Sequence, residues 1–393
     1  MSISRTYMDH AATTPVDHRV IEAMLPYFHD QFGNPGSLHF WGQRAEIALD
    51  RARQETADIL GCDFHEIIFT SGGSESNSLA LFGSAIEARH RSGVNQILTT
   101  PVEHPSVIQT ARNLEVQHGF DLVMIPVDKY GIVTLEDFKN LISKDVALVS
   151  VMYANNEVGS INPVREIGEV CRESGIPFHV DALQAANHLD ITVDNLEVDL
   201  FSLGAHKFYG PKGIGVLYVR DSTPIHPLQL GGSQEFNRRA GTQNIPLIVG
   251  FAEALKIAET EKGTVTSHCA NLQRMLIHET LERVEDVNLT GHPDNRLANH
   301  ASFVFRDIDS NSLLSGLDIA GFACSSGSAC KVGDAKASEV LSALDIPETW
   351  SFGALRVTIG RSTTEDSVRR FLDVLPPLVE RLRQAARNPD VRS

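Results

Sequence analysis

LFSLGAHKFYGPKGIGVLYV, residues 200–219, holds two apolar runs separated by a glycine-rich loop. LFSLG and GIGVLYV both read as buried strands. Between them stand His206, Lys207 and Lys212, with Gly210, Pro211 and Gly213 to turn the chain. The loop could be a phosphate cradle, an ordinary tight turn or the setting of one special amine. Lys212 sits in the turn itself, where a solvated lysine is expected. Lys207 directly follows a strand. There an amine can be desolvated, made less basic and used to form a Schiff base with an aldehyde.

Working outward, the runs EIIFT, NQILTT, LVMIPV, ALVSVMY and PFHVD precede this pair, with helical stretches such as ESNSLALFGSAIEARHR and REIGEVCRESG among them. Near-continuous apolar strands alternating with helices predict an α/β domain with a mostly parallel sheet covered on both faces. Ligands in that architecture gather beyond the carboxyl ends of the strands. IPLIVGFAEALKIAETEK (245–262) predicts a long helix leading out of this domain. After it come a helix near 268–284, strands VNLTG and ASFVFRD, a further helix, the loop SSGSACKVGDAK, the strand ALRVTIG and an amphipathic helix from Thr364. These read as a smaller α+β domain onto which the first dozen residues dock. The expected division is 15–255 for the large domain, and 1–14 plus 256–393 for the small one.

Composition narrows the function. Of 393 residues, 42% are apolar and 21% charged, enough for a large core. The net charge of −16 and the lack of a Lys/Arg run disfavour direct nucleic-acid or membrane-surface binding. MSISRTYMDH has no apolar stretch behind it, and no window approaches the roughly 20 apolar residues of a spanning helix. The five cysteines are scattered and odd in number, which predicts a reducing cytoplasm. Without CxxC pairs no metal site is expected.

Several motifs fall at predicted strand ends. In TSGGSESN (70–77) a strand gives way to a helix near Ser74. Helix-start amides around Gly73 and Ser74 could seat a phosphate. A plain serine-capped helix is the alternative, and on this motif alone the better one. The stretch matches neither GxGxxG nor GxxxxGK[ST], against a nucleotide-dependent dehydrogenase. In FHVDALQ (178–184), Asp181 ends a strand, where a carboxylate needs a partner. A protonated ring nitrogen would serve, and so would a helix start. Phosphate seat, acid and amine together fit pyridoxal 5'-phosphate (PLP). His104 in VEHPSV could stack on a ring or move protons. Asn156 and Gln184 could bond a phenolic oxygen. In ACSSGSACKVGDAK (323–336), Cys330 has no apolar periodicity around it and has Lys331 beside it, the setting of a reactive thiolate. Cys324 reads as packed. Arg356 in ALRVTIG could clamp a carboxylate in two-pronged fashion or be an ordinary surface arginine.

Taken together, MDHAATTP, GNPGSLH, TSGGSESN, VEH, NNEVG, HVDALQ, AHKFYGPKGIG, RRAGTQN, SSGSAC and LRVTIGR make the chain resemble, end to end, the cysteine desulfurases of the NifS/IscS type. These belong to the class-V aminotransferases, fold-type I PLP enzymes. The resemblance implies a mostly parallel seven-stranded sheet in a large PLP-binding domain and a smaller α+β domain carrying the catalytic cysteine. It implies that Lys207 holds PLP, Asp181 pairs with its ring nitrogen, Gln184 and Asn156 bond its ring oxygen, and His104 stacks on it and moves protons. Gly73, Ser74 and His206 would bind phosphate, joined by Thr242 from a second subunit of a homodimer. Asn34 and Arg356 would grip the substrate carboxylate, and Cys330 would take sulfur from L-cysteine, as a persulfide, for a sulfur-acceptor protein of iron–sulfur cluster assembly or thiolation. The pattern departs at Gly204, where a phosphate-binding serine is usual and only the backbone remains, and at Lys331. The chain also ends at VRS without the tail by which IscS proteins dock their scaffold. Selenocysteine lyase or aminotransferase chemistry and a non-catalytic scaffold role remain the alternatives.

Overall fold

In the computed structural model, residues 5–327 and 338–387 are described. A two-residue strand, β1 (Thr6–Tyr7), precedes seven strands that form one sheet. These are β2 (Ile67–Thr70), β3 (Gln96–Thr99), β4 (Asp121–Met124), β5 (Val146–Met152), β6 (Phe178–Asp181), β7 (Leu200–Gly204) and β8 (Gly215–Val219). Their spatial order is β2-β8-β7-β6-β5-β3-β4, and only β8 runs against its neighbours. The seven apolar runs thus become seven strands. β5 to β8 are buried along their whole length, as strands covered on both faces must be.

Alternate residues feed two cores. Ile68, Ile97, Leu148, Leu200 and Leu217 pack against the helices Gly73–Ser92 and Pro105–His118. Phe69, Leu98, Val149, Val180, Phe201 and Val216 pack on the other face against Phe40–Leu60 and Val164–Ser174. Inside the sheet His179 bridges Ser150 and Ser202 at 2.8 and 2.9 Å, tying together the strands that end near Asp181 and Lys207. Burial pushes this imidazole down to about 3, so it is neutral.

The smaller unit has β9 (Val287–Leu289), β10 (His300–Phe305) and, beyond β11 (Phe322–Ala323), β12 (Ala354–Thr358). The antiparallel order is β12-β10-β9, and β11 pairs in parallel with β1. Docking of the first residues on this unit therefore has a backbone ladder behind it.

One expectation fails. The helices expected at 245–262 and near 268–284 are a single helix, Ile245–Arg283, of 39 residues. The intervening GTVTS has weak helix formers and a glycine costing about 1 kcal/mol relative to alanine. No proline breaks the ladder there, and Gly263 faces open space. Packing on both sides outweighs the local cost. Ile245, Phe251, Leu255 and Ala258 lie in the large core, and Cys269, Leu272 and Leu276 in the small one.

Candidate active site

The carboxyl ends of β6 and β7, the start of the helix after β2 and the loop after β3 converge on a cavity of about 420 Å³. Gly73, Ser74, His104, Asn156, Asp181, Gln184, His206, Lys207 and Arg356 all line it. Residues scattered over the sequence from 73 to 356 thus meet in one place, with Arg356 contributed by the smaller sheet.

Lys207 ends a short 3₁₀ turn, Ala205–Lys207, directly after β7. Its Nζ donates to the carbonyls of Ala11 at 2.6 Å and Ala12 at 2.9 Å. Burial lowers the amine from 10.5 to about 8; Arg356 adds to this, while Asp181 and Asp9 oppose it. A sizeable fraction is therefore neutral and nucleophilic near neutral pH. Lys212 is exposed, as a turn lysine should be.

Asp181 is buried. Its Oδ2 accepts from Asn77 Nδ2 at 2.7 Å, and its Oδ1 from the backbone N–H of Leu183 at 3.1 Å. It caps its own turn and also faces the cavity. His104 caps the Pro105–His118 helix through Nδ1. Burial, with help from Lys207 and against Asp181, pushes this imidazole below its usual range. Gln184 Nε2 donates to Ala11 O at 3.0 Å.

The helix Gly73–Ser92 has Gly72 at its N-cap, and no side chain caps it. That removes the plain serine-capped alternative and leaves first-turn amides for an outside acceptor. Leu183 packs so close to Gly73 that a Cβ there would lie 2.1 Å from its Cδ2, so any larger residue would have to push that side chain aside. His206 completes this side; its Nδ1 lies 3.1 Å from Thr13 Oγ1. Burial, then Lys207 and Lys212, lowers it to about 4, so it is neutral.

Arg356 is not a surface arginine; it is 4% exposed. Its Nη2 pairs with Asp9 at 2.7 Å and its Nη1 donates to Asn156 O at 2.8 Å. Its buried Nε has no partner among the described residues. A guanidinium fixed this way keeps donors free for a carboxylate in the cavity.

Three predicted residues do not line this cavity. Gly204 lies just behind it, at the end of β7. Thr242 lines a separate hollow of about 230 Å³ with Ser71 and Arg239. Asn34 is exposed, its Oδ1 engaged by the N–H of Gly36 at 2.9 Å. Cys330 and Lys331 fall outside the described residues. The described chain stops at Gly327, on the cavity wall, and resumes at Ser338, whose hydroxyl bonds Glu157 at 2.6 Å. Cys324 belongs to the small core, and burial pushes its thiol well up.

Sequence reasoning assigned nothing to Asp9, Ala11, Ala12, Asn77 or Ser106. The first three reach the cavity through contacts almost 200 residues long or longer. Asn77 did leave a signal: an amide in a helix among apolar residues needs a partner.

A sheet with one antiparallel strand, a lysine after one strand and an acid ending its neighbour define an α/β enzyme of fold-type I. The aminotransferase class-V family model matches residues 6–371. Cysteine desulfurase IscS of Dictyoglomus turgidum is 42% identical over 377 residues, covering 96% of this chain and 95% of that protein. Cysteine desulfurase NifS of Azotobacter vinelandii is 41% identical over 385 residues, covering 97% and 94%. Among solved structures, a NifS-like protein superposes with a TM-score of 0.89 at 35% identity, covering 96% of this chain and 100% of that one. SspA in complex with cysteine gives 0.79 at 33%, covering 91% and 99%. The chain belongs to the aminotransferase class-V family, among its cysteine desulfurases of the NifS/IscS type.

Proposed function

We propose that the chain is a PLP enzyme that converts L-cysteine to L-alanine and leaves the sulfane sulfur on Cys330 as a persulfide. The observation that carries this is a buried amine, lowered to about 8, sharing one cavity with the carboxylate of Asp181. The residues present fit the cofactor: uncapped helix amides for its phosphate, an acid for its ring nitrogen, an amine for its aldehyde. PLP, when bound, supplies the aldehyde carbon and a ring that delocalises negative charge from the substrate's α-carbon.

The chain's own groups do the rest. Lys207 takes the α-proton and returns it, which an amine near neutral pH does best. Asp181 would hold the protonated ring nitrogen. Gly73, Ser74, Gly204 and His206 would hold the phosphate, Asn156 and Gln184 would bond the ring oxygen, and His104 would stack on the ring. Arg356 fixes the substrate carboxylate, with Asn34 delivered by a loop. L-Cysteine and the Cys330 thiol become L-alanine and the Cys330 persulfide, a balanced exchange needing no added oxidant. A sulfur-acceptor protein, of iron–sulfur cluster assembly or thiolation, then removes the sulfur.

A homodimer fits two features. Thr242 lies outside the cavity of its own chain. Ile21, Leu25, Phe28, Leu38, Phe40 and Ile47 leave apolar surface exposed, Leu38 at 92%. Among the described residues no helix is long and apolar enough to cross a membrane. A reducing cytoplasm suits an enzyme that depends on a free thiol.

The test is incubation of purified protein with L-cysteine, measuring alanine and sulfide together, then mass spectrometry of the peptide holding Cys330. Equal alanine and sulfane sulfur, with a persulfide-sized mass gain, are expected. Cys330→Ser should keep the cofactor's colour and yield no sulfide. Undiminished desulfuration by that variant would remove Cys330 from the reaction.

A further inference from the structure

Asn77 and Ser106 form a directed chain of hydrogen bonds that ends on His104. The direction is set at Asp181, whose two carboxylate oxygens accept, Oδ1 from the Leu183 N–H and Oδ2 from Asn77. Asn77 Nδ2 therefore faces it, at 2.7 Å, and spends its second hydrogen on Ser106 Oγ at 2.9 Å. Having accepted there, the Ser106 hydroxyl points its own hydrogen at His104 Nδ1, 2.7 Å away. The backbone N–H of Ser106 donates to the same nitrogen at 3.1 Å. A backbone N–H cannot accept, so Nδ1 must present a lone pair. The ring's one hydrogen then sits on Nε2, and the ring lines the cavity.

We infer that Asn77 and Ser106 are positioning residues that lock His104 as its Nε2–H tautomer, making it a neutral hydrogen-bond donor to the cavity and not a proton carrier. Protonating the ring would set an Nδ1–H against two donors. It would also place a cation at the N-terminus of the Pro105–His118 helix, where the dipole opposes it. The charged groups around the ring are Lys207 from the turn after β7, which disfavours the cation, and Asp181 from β6, which favours it. Glu103, next in the chain, adds little: burial raises its carboxyl to about 8, so it is largely protonated. Conversely, giving up the Nε2 hydrogen would leave an imidazolate. What remains is a fixed dipole that stabilises negative charge as it develops on the substrate. This replaces proton transfer, the role the resemblance implies for His104.

The role in turnover rests on the desulfurase reading; the tautomer does not. Holoenzyme labelled with ¹⁵N in its histidine rings supplies the decisive measurement, with the His104 signals assigned by comparison with His104→Gln. One pyridine-like and one pyrrole-like nitrogen are expected, unchanged from about pH 6 to about pH 9. In Ser106→Ala, which keeps the backbone donor but loses the hydroxyl, the Nδ1 signal should shift and the ring's titration should move up toward that window, and Ser106→Thr should restore the wild-type pattern. In turnover, His104→Gln, which keeps a donor but cannot carry a proton, should stay within about tenfold of wild type, while His104→Ala loses about 10²-fold or more. A wild-type ring protonated on both nitrogens at neutral pH overturns the inference, and so does equal loss in Gln and Ala variants. A wild-type enzyme making no alanine overturns the desulfurase reading instead, whatever the ring signals show.

Discussion

Lys207 reaches the cavity from the turn after β7, and Arg356 reaches it from β12 in the other sheet. The same short stretch, residues 9–12, partners both. To the lysine it offers two neutral carbonyls; to the arginine it offers the carboxylate of Asp9. The lysine, buried with no ion pair among the described residues, loses basicity, although Asp181 and Asp9 oppose the shift; the arginine is held by a direct ion pair to Asp9. The first cation bonds only neutral carbonyls, and the second bonds a carboxylate. The residue types agree with this division, since lysine shifts readily on burial and arginine does not deprotonate.

The comparison breaks first at Lys207. Lys207→Ala should lose the cofactor's protein-linked absorption and at least about 10³-fold in alanine formation, while Arg356 variants keep that absorption. Residual turnover near wild type would mean that the amine is a bystander.

A second measurement reads the depressed amine without any chemistry. Between about pH 8 and about 10.5 the unfolded chain binds a proton at this lysine that the folded chain does not. Stability of cofactor-free protein should therefore rise with pH across that window, by up to about 3 kcal/mol. Denaturant unfolding should show the rise in wild type and a flatter profile in Lys207→Met.

Next in size is the ion pair. Asp9→Asn should raise the KM for L-cysteine about tenfold, as expected for losing roughly 1.4 kcal/mol of carboxylate binding, and leave kcat within about twofold. A fall in kcat with KM unchanged would assign Asp9 to the lysine instead.

The smallest effect sharpens the picture at Gly204. Its backbone is extended, at φ −139, and a Cβ there would sit 3.5 Å from Leu183 Cδ2 and 3.6 Å from Gly73 N. Gly204→Ser should fold normally, add a hydroxyl beside the anion seat and slow loss of the cofactor on dialysis by about threefold, the worth of a fraction of one hydrogen bond.

Much of this was legible in the chain. Seven apolar runs gave seven strands, and β5 to β8 read as unbroken runs because strands buried on both faces leave no room for polar alternation. TSGGSE, Asp181 and Lys207 stood out because each interrupts an apolar run at its carboxyl end. Asp9 and the carbonyls of Ala11 and Ala12 were invisible. Main-chain acceptors carry no residue identity, and their contacts to Lys207 span about half of the sequence. The Asn77–Ser106 chain was hidden for another reason: each residue sat inside a recognised motif, but the link between motifs exists only once two helices pack side by side. The unbroken helix was misread because local propensity at GTVTS pointed one way and burial on both sides the other.

That helix, Ile245–Arg283, runs about 58 Å at 1.5 Å per residue, with one end in each core. It is an axle common to both cores, so the units carrying Lys207 and Arg356 pack on one unbroken rod. The frame itself works as a gauge, passing molecules by the reach from amine to guanidinium.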